Sequence, residues 1–222
     1  MFTTRFQAWV RRNAERLGRQ LGRLGVTPNQ VTVAGMLATF LAGALAAFDH
    51  LLLAALVLAF SGTFDILDGA LARATNRMYP YGAFFDSTLD RYSEGAVYAG
   101  LAAYFLNHGG QWVRMEVLAC LLALAGSFLV SYVKARAQSL GFHCDSGLFK
   151  RPERVVVIVA GLLLAAAFGQ LLLTLCVAVL AVLTNFTVLQ RINEVWGQAR
   201  AQRRAREAAA SKAPSSGETS RP

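Results

Sequence analysis

Apolar residues in this chain come in long runs separated by short polar breaks, and the breaks leave six stretches long enough to cross a bilayer. They cover residues 30–48, 51–71, 82–106, 113–136, 152–168 and 171–196. Several exceed the roughly 20 residues that a hydrocarbon core requires, so helices that extend into water are expected. Ahead of them, Phe2, Phe6, Val10, Leu17 and Leu21 recur at helical spacing, with Arg5, Arg11, Arg12, Arg16 and Arg19 filling much of the rest. That is the pattern of a helix lying on an anionic membrane surface, the alternative being a basic helix packed on its own protein.

The pattern as a whole predicts an all-α integral membrane protein with six transmembrane helices preceded by an N-terminal amphipathic surface helix. Residues 1–24 form the juxtamembrane helix and 25–197 the six-helix domain. Residues 198–222 form a basic tail that starts as a helical extension and is expected to be disordered from about Ala210.

Composition agrees, since 55% of the residues are hydrophobic. The net charge of +9 would otherwise point to nucleic acid, but the cations sit at the two chain ends and in two polar breaks rather than in a stripe on a soluble domain. No nucleic-acid partner is expected. Phe48-Asp49-His50 and Gly169-Gln170 hold no Lys or Arg, whereas the alternate connections hold Arg73 and Arg77, then Lys134, Arg136, Lys150, Arg151 and Arg154. Both termini and the basic connections are therefore expected on the cytoplasmic side of the cell membrane. The start Met1-Phe2-Thr3-Thr4-Arg5 is too polar for a secretory signal. Cys120, Cys144 and Cys176 lack the spacing of a disulfide or zinc site, and His50, His108 and His143 stand alone.

The chemistry is concentrated in Asp65-Ile-Leu-Asp68-Gly69-Ala-Leu-Ala72-Arg73 and Gly82-Ala-Phe-Phe-Asp86-Ser-Thr-Leu-Asp90. On a helix Asp65 and Asp68 share one face, as do Asp86 and Asp90 on the next. A short turn between the two helices lets four carboxylates aim at one point. Such charges near a membrane are costly unless cations neutralise them, and hard oxygen ligands suit Mg²⁺ or Mn²⁺ together with a substrate's phosphates. Metal-assisted phosphoryl chemistry is the natural expectation. Gly69 and Gly82 admit two readings, the approach of a phosphate to the backbone or close helix packing.

These residues resemble the signature of the CDP-alcohol phosphotransferase family, Asp65-x-x-Asp68-Gly69-x-x-Ala72-Arg73 and then Gly82-x-x-x-Asp86-x-x-x-Asp90, at every defining position. The resemblance implies two metal ions, Mg²⁺ or Mn²⁺, held by Asp65, Asp68 and Asp86, with Asp90 as a further ligand and general base. It also implies that the ions bind the diphosphate of CDP-diacylglycerol or a related CDP-lipid, with Gly69 and Arg73 touching the nucleotide. Thr27-Pro28-Asn29-Gln30-Val31-Thr32 is similar to the family's cytidine-side segment, which brings in Asn29 and Thr32. Residue preferences alone explain the same segment as a helix start, Thr27 capping and Pro28 at the first position. A homodimer among membrane lipids is implied by the resemblance alone.

Lys134 and Arg191 interrupt membrane-like helices near the cytoplasmic side, where an anionic ligand would offset their charge and where snorkelling is the alternative. Lys134-Ala-Arg136-Ala, Arg151-Pro-Glu-Arg154 and Gln190-Arg191 resemble the phosphatidylinositol-phosphate synthase branch of the family. The resemblance implies a phosphorylated polyol acceptor, inositol 1-phosphate, gripped by Lys134, Arg136, Arg151, Arg154 and Arg191. Lys150 departs from the acidic residue expected before Arg-Pro-Glu-Arg. The alternative within the family is glycerol 3-phosphate as acceptor, whose enzymes read Asp-Pro-x-x-Asp-Lys where this chain has Asp86-Ser-Thr-Leu-Asp90-Arg91. The alternative from another class, a small cation transporter, calls for repeated halves or helices broken at mid-membrane, and neither is visible.

Overall fold

The structure, a computed structural model, describes residues 2–76, 79–147 and 149–212, without the side chains of residues 2–11 and 210–212. Phe2, Phe6, Val10, Arg5 and Arg11 as side chains, Arg77, and the expected disordered tail beyond residue 212 lie outside the described residues. Seven helices follow one another: α1 Phe2–Arg23, α2 Pro28–Ala47, α3 Leu51–Ala74, α4 Pro80–His108, α5 Val113–Ser139, α6 Arg151–Phe168 and α7 Gln170–Lys212. Among the described residues there is no strand.

Local sequence sets the helix ends. Thr27 is the N-cap of α2, its side chain accepting from the Gln30 N–H while the Gln30 side chain accepts from the Thr27 N–H, with Pro28 directly after. Pro80 opens α4 and Pro152 lies in the first turn of α6, both sites where a missing N–H costs nothing. Asp49 turns the chain between α2 and α3 with φ 65°.

Six of the helices close into a ring in the order α2, α3, α6, α7, α5, α4 and back to α2, and α1 lies on the outside of α3. The ring is tightest where glycines let backbones touch. A Cβ on Gly43 would stand 2.6 Å from the Ala96 carbonyl oxygen, and one on Gly100 would overlap the Gly43 backbone, so α2 and α4 cross there in direct contact. On α1, a Cβ on Gly18 would lie 3.0 Å from the Leu71 nitrogen, so α1 does pack on its own protein along α3. Leu58, Leu101, Phe105, Leu162 and Leu173 fill the interior. Outward, Phe40, Leu53, Leu56, Leu122 and Val182 are exposed, which is the surface a bilayer, not water, would solvate.

Among the described residues, four helices are long and apolar enough to cross a membrane: α2, α3, α5 and α7. The stretches 82–106 and 152–168, also read as spans, form the bulk of α4 and α6, helices that are more polar because α4 carries Asp86, Asp90, Arg91 and Glu94 and α6 carries Arg151, Glu153 and Arg154. All of these charges lie toward the N-terminal ends of α4 and α6, level with the C-terminal halves of α3 and α5. These charged residues of α4 and α6 are thus gathered at one end of the ring. α7 continues unbroken past residue 197 to Lys212, roughly 65 Å at 1.5 Å per residue, and so contains the expected helical extension.

Candidate active site

The polar end of the ring is divided into two openings. The first is a groove of about 450 Å³ between α2, α3 and α4, lined by Asn29, Thr32, Asp68, Gly69, Arg73, Gly82 and Asp86 among others. Asp68 is buried, and its Oδ2 accepts a 2.8 Å hydrogen bond from Thr32 Oγ1. The glycines here are not helix contacts. Among the described residues, a Cβ on Gly69 would meet only Arg73, at 3.4 Å, and one on Gly82 only Asn29, at 3.9 Å. Both leave backbone open to the groove. Tyr79 and Pro80, which sequence reasoning passed over, complete the rim.

The second opening, of about 300 Å³, is lined by Asp90, Glu94, Ser131, Lys134, Lys150, Arg151, Arg154 and Arg191 among others. Sequence spacing alone did not place Lys134 near Arg191; the structure does, because α5 and α7 are neighbours in the ring. The connection between α5 and α6 is docked on α7, with Gln198 bonding both backbone groups of His143 and Glu194 accepting from the Ser146 hydroxyl. Lys134 reaches back to that connection, donating to Asp145 at 2.7 Å, and its ammonium holds the Asp145 carboxyl below the usual range.

Two expectations for the cations change. Arg136 does not line this opening. It stands two positions beyond Lys134, so the helix turns it to another face, where its guanidinium lies 3.4 Å from Ser139 Oγ. Arg191 does line it, but its Nε donates to the Ser146 carbonyl at 2.9 Å and its NH1 to the Val130 carbonyl, so it also ties α5 and the connection to α7. Glu94 was missed by sequence reasoning: it accepts from Arg154 at 2.5 Å. Its position four residues after Asp90, on the same helix face, was the available signal.

The four aspartates are shared between the openings. Asp68 and Asp86 line the groove, Asp90 lines the second opening, and Asp65 is joined to Asp90 by Arg151, whose guanidinium lies 2.5 Å from Asp65 and 2.9 Å from Asp90. Among the described residues, no three His, Cys, Asp or Glu side chains already stand as a cage around one point. Carboxylates at close quarters repel one another, and here a guanidinium relieves that repulsion between two of them. The set nonetheless fits a divalent cation: hard oxygen donors on two helices consecutive in the chain, with a cationic group already held between Asp65 and Asp90.

Comparison with known proteins places this geometry. The sequence profile of the CDP-alcohol phosphatidyltransferase family matches residues 25–189. The chain is 40% identical over 174 residues to the archaetidylinositol phosphate synthase of Methanothermobacter thermautotrophicus, covering 78% of this chain and 85% of that protein. The crystal structure of the Mycobacterium tuberculosis phosphatidylinositol phosphate synthase with CDP-DAG bound superposes with a TM-score of 0.77 at 35% identity, covering 83% of this chain and 94% of that one. The same enzyme in complex with manganese and citrate gives a TM-score of 0.76 at 35% identity, over 82% and 88% of the two chains.

Proposed function

The chain belongs to the CDP-alcohol phosphatidyltransferase family, and on that premise we propose that it moves a lipid phosphate from a CDP-linked lipid to inositol 1-phosphate, releasing CMP. The observation that carries the reading is the division of the site into two openings that meet at the aspartates, one lined by the signature residues and the other by Lys134, Arg151, Arg154 and Arg191. A two-substrate transfer needs such a pair of sites, with the reacting phosphorus where they join.

The groove takes the donor. Asn29 and Thr32 lie on the side of α2, Gly69 and Arg73 on that of α3, and both glycines leave room for the nucleotide's diphosphate to approach the backbone. Asp65, Asp68, Asp86 and Asp90 form the ligand set for two ions, Mg²⁺ or Mn²⁺, which when bound neutralise the diphosphate and stabilise charge on the departing CMP. The second opening takes the acceptor. Lys134, Arg151, Arg154 and Arg191 face its phosphate there, and the polyol hydroxyl is directed toward Asp90. Asp90 then accepts the hydroxyl proton as the oxygen attacks the lipid-bearing phosphorus. Positioning and charge supply most of the rate, as in phosphoryl transfer generally.

We further propose that all six helices α2–α7 span the cell membrane, with both termini and the active site at the cytoplasmic face and α1 lying along that surface. Support comes from the gathering of every signature charge at one end of the ring and from the basic connections at that end. Activity of a C-terminal reporter only outside the cell would contradict this orientation. Family likeness supports a homodimer, which cross-linking in native membranes tests. The function is tested by supplying CDP-diacylglycerol with a panel of polyol phosphates and identifying the lipid product.

A further inference from the structure

Beside the acceptor opening lies a further, narrower chamber of about 30 Å³, and the two share one charged wall, since Glu94, Arg151 and Arg154 line both. Glu94 and Arg154 form a 2.5 Å ion pair with side chains 10% and 3% exposed, and Arg154 NH1 also donates to the Phe149 carbonyl at 3.2 Å. Three buried polar atoms of this wall, Glu94 Oε2, Arg151 Nε and Arg154 Nε, have no hydrogen-bond partner among the described residues. The chamber has room for a water molecule to serve them.

We propose that Glu94 is a positioning residue for the acceptor step, holding the Arg154 guanidinium at the angle from which it meets the acceptor's phosphate. A buried arginine fastened by one short carboxylate bond and one carbonyl has little freedom to follow an incoming anion, so its direction is set beforehand. Glu94 does not touch the reacting atoms. It stands one turn beyond Asp90 on α4, so the helix that carries the general base also carries the carboxylate that aims Arg154. The acceptor's phosphate and its attacking hydroxyl are thereby registered against a single rigid element.

This inference rests on the second opening being the acceptor site, and the experiment separates the two. Steady-state kinetics with varied inositol 1-phosphate and varied CDP-diacylglycerol are compared for Glu94→Gln, Glu94→Asp and Lys134→Ala, with Mn²⁺ affinity read by electron paramagnetic resonance. Removing the Glu94 charge makes the pocket more positive, so Coulomb attraction alone predicts tighter acceptor binding. Positioning predicts the opposite: Glu94→Gln lowers kcat/KM for the acceptor by about tenfold or more, with the donor KM and Mn²⁺ affinity unchanged. Glu94→Asp, which keeps the charge, retains more activity than Glu94→Gln. Unchanged or improved acceptor kcat/KM in Glu94→Gln, beside a Lys134→Ala variant that is impaired, overturns the role of Glu94 and leaves the acceptor site standing. Equal loss toward donor and acceptor, or Glu94→Asp worse than Glu94→Gln, also overturns it. No effect of Lys134→Ala on the acceptor removes the acceptor assignment, and this inference with it.

Discussion

Thr32 Oγ1 bonds Asp68 Oδ2 at 2.8 Å across the contact of α2 with α3, and both side chains are buried in the wall of the groove between α2, α3 and α4. The cytidine-side segment and the first signature helix are therefore joined through one hydrogen bond. A hydrogen bond to a carboxylate contributes about 1.5–3 kcal/mol. Thr32→Val is expected to lower kcat/KM for the donor by roughly tenfold to a hundredfold, while Thr32→Ser stays near wild type. Donor kinetics at saturating acceptor check this.

Removal of divalent cations is expected to abolish turnover, and Mg²⁺ or Mn²⁺ to restore it. Asp68→Asn and Asp86→Asn are expected to be inactive yet folded, because a neutral amide cannot offset a dication. The check is activity across an EDTA and Mn²⁺ titration, with thermal melting to confirm folding. Full turnover in excess EDTA would contradict the metal assignment.

At the crossing of α2 with α4, Gly100→Ala forces a methyl group into the Gly43 backbone. Neither side of the clash is a flexible side chain, so overpacking of about 1–3 kcal/mol is expected, seen as a lower melting temperature in detergent. Gly197→Ala on α7, with nothing among the described residues within 4 Å of its added methyl, is expected to be neutral or slightly stabilising.

Arg191→Ala and Lys134→Ala are expected to differ. Both remove a cation from the acceptor opening, but Arg191 also bonds the Ser146 and Val130 carbonyls in a buried position, whereas Lys134 pairs with the exposed Asp145. Arg191→Ala should therefore lower the melting temperature as well as acceptor kcat/KM, and Lys134→Ala mainly the latter. Each lost charge-assisted bond to phosphate corresponds to a drop of about tenfold to a hundredfold.

Where a feature is local, the residues disclosed it. Thr27 and Pro28 mark the start of α2, and the structure finds the cap there. Partner choice across the ring was not legible in the same way. Arg151 lies 86 residues from Asp65 and yet bonds it, and Glu94 acquires a role only when α6 brings Arg154 beside it. Apolar runs give each helix a length and a polarity, but not its neighbours. Arg136 differs for the opposite reason: the family resemblance groups it with Lys134, and helical rotation turns it away from the opening that Lys134 lines.

The most direct test of the whole account is the product formed from labelled CDP-diacylglycerol when purified protein is offered inositol 1-phosphate, free inositol or glycerol 3-phosphate. A pocket bearing Lys134, Arg151, Arg154 and Arg191 attracts a phosphate dianion in a way that it cannot attract a neutral acceptor. The expected result is phosphatidylinositol phosphate and CMP from inositol 1-phosphate, with little product from the other two. Equal turnover of free inositol, or preference for glycerol 3-phosphate, would contradict it.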